Sequence, residues 1–132
     1  MITEYIRNGN ADRCFDFILE ALEIFTVERK GEAENYLKDL GNKQLLWVGA
    51  DLNDYAGILS QGLRLPPAEA PENAYMFGKG IYFSDIAPKA VISYSPNQKD
   101  EVLLLCEVAL GECNEKFEAD LNAANLPLNK HR

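Results

Sequence analysis

The run Tyr75-Met76-Phe77-Gly78-Lys79-Gly80-Ile81-Tyr82-Phe83 limits what this chain can fold into more than any other stretch. Two glycines flank a lysine between an aromatic cluster and an Ile-Tyr-Phe segment, so the backbone must turn tightly while aromatic faces stay open. Glycine supplies φ > 0 and lets another molecule come close to the main chain. The β-branched and aromatic residues that follow favour a short pleated strand, Ile81–Phe83. A tyrosine just past such a turn can offer its ring to a flat ligand. The same pattern also describes a core hairpin with no ligand, and the run alone leaves both readings open.

The rest of the chain reads as short strands and helices without regular βαβ alternation, which is the α+β class. Residues 1–13 are polar and read as an extended or loosely held arm. Leu22–Glu28 alternates like a strand, with a helix through Ile18–Leu22 as the alternative. Glu32–Leu40, bracketed by Gly31 and Gly41, is compatible with a helix, and Leu45–Val48 is a short buried strand that ends at Gly49. Asp51 or Asn53 can cap a helix carrying Tyr55, Ile58 and Leu59, and Gly62 can stop it. Pro66, Pro67 and Pro71 enforce an extended loop. Asp85 can cap a helix through Tyr94 with Pro88 in its first turn. Val102–Leu110 is the longest apolar strand and is expected at the centre of the sheet.

Composition narrows the function classes. A chain of 132 residues, 47% hydrophobic and 10% aromatic, supports one globular domain over 1–132 and argues against disorder. The net charge of −8, from 21 acidic against 13 basic residues with no basic stripe, argues against direct nucleic-acid binding. Its simplest meaning is solubility. Cys14, Cys106 and Cys113 are odd in number and lack zinc-type spacing, so neither a disulfide framework nor a metal site is expected. Cys106 reads as a small buried hydrophobe in a strand. The thiols suggest a reducing intracellular compartment, nucleus or cytoplasm, with an organelle left open. No apolar signal core and no run of membrane-spanning length is present in these residues, so no membrane insertion is expected.

The order of motifs carries more information than any one of them. Asn42-Lys43-Gln44-Leu45-Leu46-Trp47-Val48-Gly49-Ala50 is followed by Tyr55-Ala56-Gly57-Ile58-Leu59-Ser60-Gln61-Gly62-Leu63-Arg64 and then by Glu69-Ala70-Pro71. The glycine-lysine run and Val102–Gly111 (VLLLCEVALG) come next. With Leu22–Arg29 upstream and Leu126-Pro127 downstream, this series resembles the catalytic domain of poly(ADP-ribose) polymerases, diphtheria-toxin-like ADP-ribosyltransferases, over nearly the whole chain. The resemblance implies a partial ADP-ribosyltransferase fold: a mainly antiparallel split sheet with short flanking helices, lacking the C-terminal strands. It also implies a cleft for NAD, with the nicotinamide ring between two tyrosines.

Those tyrosines match Tyr82 and Tyr94; Ala90 and Tyr94 are four apart where the family spaces serine and tyrosine by three, so that without an inserted residue Ser93 holds the place. Stacking suits a flat, electron-poor ring. Gly49 matches the glycine whose backbone holds the nicotinamide carboxamide, and Arg64 matches an arginine on the adenosine side. Each also has a plain structural reading, as a strand end or a solvated charge. The departures point the other way. Val48 and Ala50 stand where the family has histidine and serine, and Ala90 replaces a further serine. None of the three can make the polar contact it replaces.

The resemblance also implies a catalytic glutamate on a strand beyond VLLLCEVALG, and the sequence stops at Arg132 before that region. Glu107 matches a different family glutamate, and Glu112 and Glu115 read as solvated, so no catalytic residue is assigned. Uncovered strand edges would then invite aggregation, another polypeptide, or cover from Glu118–Leu128. The expectation is an inactive homologue kept as a structural or interaction module, with a protein partner or larger complex and no bound cofactor. The alternatives are an active NAD+-dependent ADP-ribosyltransferase, as a fragment or completed by a partner, and a non-catalytic NAD or ADP-ribose binder.

Overall fold

A computed structural model describes residues 1–10, 15–67, 69–71, 75–93 and 101–131. Its centre is an antiparallel pair of strands, β1 (Lys43–Gly49) and β2 (Leu103–Ala109), in register from Lys43 opposite Ala109 to Gly49 opposite Leu103. Side chains alternate across such a pair. Trp47 and its partner Leu105 therefore share one face, while Leu46 and Val48 share the other with Cys106 and Leu104.

Trp47 decides what covers the first face. It is 3% exposed and packs against Ala87 and Ala90, with Ile2, Tyr5, Ile6, Leu19, Leu103 and Leu105 around them. Two helices deliver five of these groups, Ile2, Tyr5 and Ile6 from one and Ala87 and Ala90 from the other. Helix α1 (Ile2–Asn10) has Ile2, Tyr5, Ile6 and Gly9 at helical spacing, so its apolar stripe lies on the sheet. The Tyr5 ring stacks on Trp47 at 5.7 Å and 22°, and its hydroxyl donates to the Leu45 carbonyl at 2.9 Å. Gly9 is buried against the other helix of this layer, where a Cβ would lie 3.4 Å from Pro88 Cδ.

Residues 2–10 thus form a docked helix rather than the expected loose arm. Their polar residues mask a stripe that only the Trp47 face makes use of. Asn10 extends the attachment: its side chain donates to the Leu19 carbonyl at 2.8 Å and accepts from the Leu19 amide at 3.1 Å.

Short helix α2 (Glu32–Asn35) and a separate 3₁₀ turn (Lys38–Leu40) replace the single helix expected over 32–40. Asp51 does act as a cap, accepting from the Asn53 amide at 2.9 Å, but it caps a 3₁₀ turn (Leu52–Asp54) that leads into α3 (Tyr55–Gln61). Gly62, with φ 84°, ends α3 as expected, its amide donating to Ile58 O at 2.7 Å. The last helix, α4 (Ala87–Ile92), has Pro88 in its first turn. Ile86 rather than Asp85 occupies its cap position, and the Ser84 hydroxyl accepts from the Ile86 amide at 3.2 Å. Tyr94, the expected end of that helix, lies outside the described residues.

Three strand expectations need correction. Ile81–Phe83 forms no strand; the chain touches the sheet only at Ser84, which exchanges backbone bonds of 2.7 and 2.8 Å with Trp47. That bridge lies on the edge of β1 opposite β2, so β1 is the central element and β2 is not. Leu22–Glu28 is neither strand nor helix, and Ile18, Leu22, Ile24, Phe25 and Val27 are all exposed. Alternation alone does not make a strand where no neighbour pairs with it among the described residues. Cys106 is half-buried rather than buried. Among the described residues no helix is long and apolar enough to cross a membrane.

Replacing Trp47 with alanine should destabilise the chain by about 3–5 kcal/mol. Urea unfolding followed by far-ultraviolet circular dichroism would measure this, and a loss below about 1 kcal/mol would show that the tryptophan does not organise the core.

Candidate functional site

The Trp47–Ser84 bridge also builds the candidate site. It is antiparallel, so the chain leaving Trp47 toward Gly49 and the chain arriving from Tyr82 lie at the same end. Gly49 is buried as the last residue of β1, and Tyr82 is half-buried. The expected glycine and tyrosine are thus brought together by a single pair of backbone bonds.

Other expected members are placed differently. Val48 is 4% exposed and points to the face of β1 opposite Trp47. Ala90 is also 4% exposed, but it packs directly on Trp47. These two positions lie on opposite sides of the strand, and both are buried. Ala50 is half-buried just past the strand end. Arg64 stands exposed on the extended stretch after Gly62, with no ion pair among the described residues. Tyr94 falls outside the described residues, so the second face of a stacking pair has no described occupant from that position.

Tyr82 has a neighbour the sequence reading did not assign. The Tyr75 ring lies 6.0 Å from it at 31°. Two rings need about 7 Å between them to admit a third, so Tyr75 packs in a tilted contact against Tyr82 rather than sandwiching a ligand with it. The signal was available in the aromatic cluster at the start of the run. Which aromatic would fold back onto Tyr82 was not.

A second polar group lies just beyond Gly49. The Tyr55 hydroxyl donates to the Val102 carbonyl, tying the start of α3 to the entry of β2. Burial first, and the nearby Glu101 carboxylate second, push the Tyr55 phenol up to about 12. Glu101 is itself raised, by burial and then by repulsion from Asp51. The Cys106 thiol is raised by burial first and Glu32 second, which makes it a poor nucleophile. Of the carboxylates weighed as catalytic substitutes, Glu107 faces Lys43 at 3.9 Å, Glu112 faces Lys130 at 3.2 Å, and Glu115 is exposed.

Two hollows show where space exists. One, of about 200 Å³, lies between α1 and the sheet and includes Tyr5, Leu45 and Leu105; the other, of about 550 Å³, is lined by residues 33, 34 and 36–40. Neither is lined by Gly49, Arg64 or Tyr82. Among the described residues no group of three or more His, Cys, Asp or Glu could hold a metal ion. As a test of fit for NAD+, Gly49 and Tyr82 lie at the same end of β1, while the residues at 48, 50 and 90, where polar handles are expected, are apolar.

The geometry is that of an α+β domain whose central strand ends at Gly49 beside an aromatic-glycine loop. The sequence model of the poly(ADP-ribose) polymerase catalytic domain matches residues 1–132. The chain belongs to that family. It is 47% identical to poly [ADP-ribose] polymerase 2-A of Oryza sativa subsp. japonica, with 98% of this chain and 20% of the relative covered. It is 44% identical to poly [ADP-ribose] polymerase 2 of Homo sapiens, over 99% of this chain and 23% of the relative. With poly [ADP-ribose] polymerase 1 of Danio rerio it shares 45% identity, over 99% of this chain and 13% of the relative. The chain therefore spans about a fifth of the length of the first two of these relatives.

Tyr55 gives a pH-dependent prediction. Unfolded, its phenol ionises near 10.0, and folded it keeps its proton to about 12. Its contribution to stability is complete below pH 10 and is lost as pH rises to about 12, because the unfolded chain gives up the proton first. Tyr55→Phe should cost about 1 kcal/mol at pH 7 by stranding the Val102 carbonyl. It should also flatten the alkaline loss of stability over that window. Urea midpoints at pH 7, 10 and 11.5 would check both effects, and an unchanged alkaline slope would contradict the second.

Proposed function

We infer that this chain is a poly(ADP-ribose) polymerase-type ADP-ribosyltransferase homologue that does not turn over NAD+ and serves as a structural or interaction module, a subunit of a larger assembly. The observation that supports this is the packing of Val48 and Ala90, each 4% exposed, at positions where the resemblance calls for polar donor contacts. If each missing hydrogen bond is worth about 1 kcal/mol, loss of those at 48, 50 and 90 weakens NAD+ binding by about 3 kcal/mol, roughly a hundredfold. In this reading Gly49, Arg64, Tyr82 and Tyr94 are what is left of the donor site, and no catalytic residue is assigned. The exposed Ile18, Leu22, Phe25 and Phe117 favour cover by another protein surface. The free thiols Cys106 and Cys113 fit a reducing intracellular compartment, nucleus or cytoplasm.

A second reading, an active NAD+-dependent ADP-ribosyltransferase, is favoured by identities of 44–47% to proteins named poly [ADP-ribose] polymerase. A third, a non-catalytic NAD or ADP-ribose binder, needs Gly49, Arg64, Tyr82 and Tyr94 to form a pocket, of which Gly49 and Tyr82 lie at the same end of β1.

Incubation of the chain with NAD+ and measurement of released nicotinamide separates them. The inactive reading expects no release above the blank and only weak heat on NAD+ titration. Ala50→Ser, at the half-buried position just past β1, should tighten NAD+ binding by up to about fivefold. Nicotinamide release by the unmodified chain would sink the inactive reading, and tight NAD+ or ADP-ribose binding without release would favour the binder.

A further inference from the structure

The Tyr75–Gly80 loop is held from two directions by groups that none of these roles uses. From inside, the Tyr82 hydroxyl accepts from the Phe77 amide at 3.0 Å and donates to the Gly78 carbonyl at 2.8 Å. A phenol has one donor and lone pairs to accept with, so both bonds form at once. From outside, the Asp120 amide donates to the Met76 carbonyl at 3.0 Å. The same turn fills the space beside Gly78: a Cβ there would sit 2.6 Å from the Leu121 carbonyl oxygen and 3.2 Å from Ala124 Cβ. Gly78 also has φ +78°, so glycine is required twice over, for its conformation and for the approach of the turn.

The turn is organised before it meets the loop. Asp120 accepts from the Asn122 amide at 3.0 Å and from Lys116 Nζ at 2.9 Å. The Ala123 amide donates to Asp120 O at 3.0 Å, and the Asn125 amide to Asn122 O at 2.9 Å. Glu118–Leu128, expected as a cover for a sheet edge, is therefore used in part as a brace on the aromatic-glycine loop. The successive residues Met76, Phe77 and Gly78 each carry one part of the restraint.

We propose that the Lys116–Asn125 turn is a latch on the Tyr75–Gly80 loop, acting jointly with the Tyr82 hydroxyl to hold Tyr75 over the Tyr82 ring. Release of the turn frees the loop and with it the Tyr75 contact on that ring. Tyr82 is a positioning residue in this role, through its oxygen rather than its ring. The inference does not depend on whether the cleft takes NAD+, because it concerns the loop in the free protein.

Amide hydrogen exchange on the whole chain, without added ligand, tests it. Tyr82→Phe keeps the ring and removes both bonds. It should speed exchange about tenfold at Phe77 and also at Asp120, although Asp120 never touches the phenol. Asp120→Ala, and the milder Lys116→Ala, should speed exchange at Phe77 while leaving the β1 amides unchanged. Acceleration confined to the mutated clasp would overturn the latch, as two independent contacts would behave that way. Equal acceleration throughout β1 would also overturn it, since the turn would then support the whole fold rather than the loop. NAD+ turnover is not part of the readout, so this result and the test of inactivity stand or fall separately.

Discussion

Burial of the Trp47 indole is the constraint on which the other packing depends. Its ring faces Tyr5 from α1 and the alanines of α4, and its backbone holds Ser84 on the open edge of β1. One residue thus fixes three connections through different physics. Stacking and apolar burial attach the helices, and a pair of backbone hydrogen bonds attaches the segment that carries Tyr82. Small residues at 87 and 90 follow from this, because a helix must come close to a flat ring to exclude water from it. Ala90 therefore serves the core, whatever a polar residue at that place does in other members of the family.

The same arrangement explains why the candidate site is unevenly equipped. Backbone features survive: the end of β1 at Gly49, and the bridge that brings Tyr82 to the same end. Side-chain features differ, because Val48 and Ala90 are buried on opposite faces of one strand, Ala90 against Trp47. Polar groups placed there would have to gain hydrogen bonds worth more than the packing they displace. Around the aromatic loop, by contrast, the polar bonds are plentiful and local. They join the loop to Tyr82 and to the 116–125 turn rather than to an open cleft.

Much of the local structure was legible in the residues. β1 with its glycine end, the Asp51 cap, α3 with its Gly62 stop, Pro88 in the first turn of α4 and the apolar run of β2 all follow from short-range rules. The misreadings have a common cause. Residues 2–10 looked like an arm because their apolar stripe is thin, and Leu22–Glu28 looked like a strand because it alternates. In both cases the deciding factor was a surface elsewhere in the chain: the Trp47 face for the helix, and an absent pairing partner among the described residues for the strand. Val102–Leu110 was placed at the centre on hydrophobicity, but the Ser84 bridge gives that position to β1.

The residues by themselves determined the order of turns, caps and apolar runs, and that order marked the family. Dihedral preferences and hydrophobic periods act over a few neighbours, so they can be read without coordinates. Tertiary structure decided which side chains are core. It placed Val48 and Ala90 in packed surroundings, set Tyr75 on Tyr82, and used the Tyr82 oxygen to fasten a loop. Those outcomes depend on contacts between segments far apart in the chain, where one buried ring or one backbone bridge outweighs any local preference.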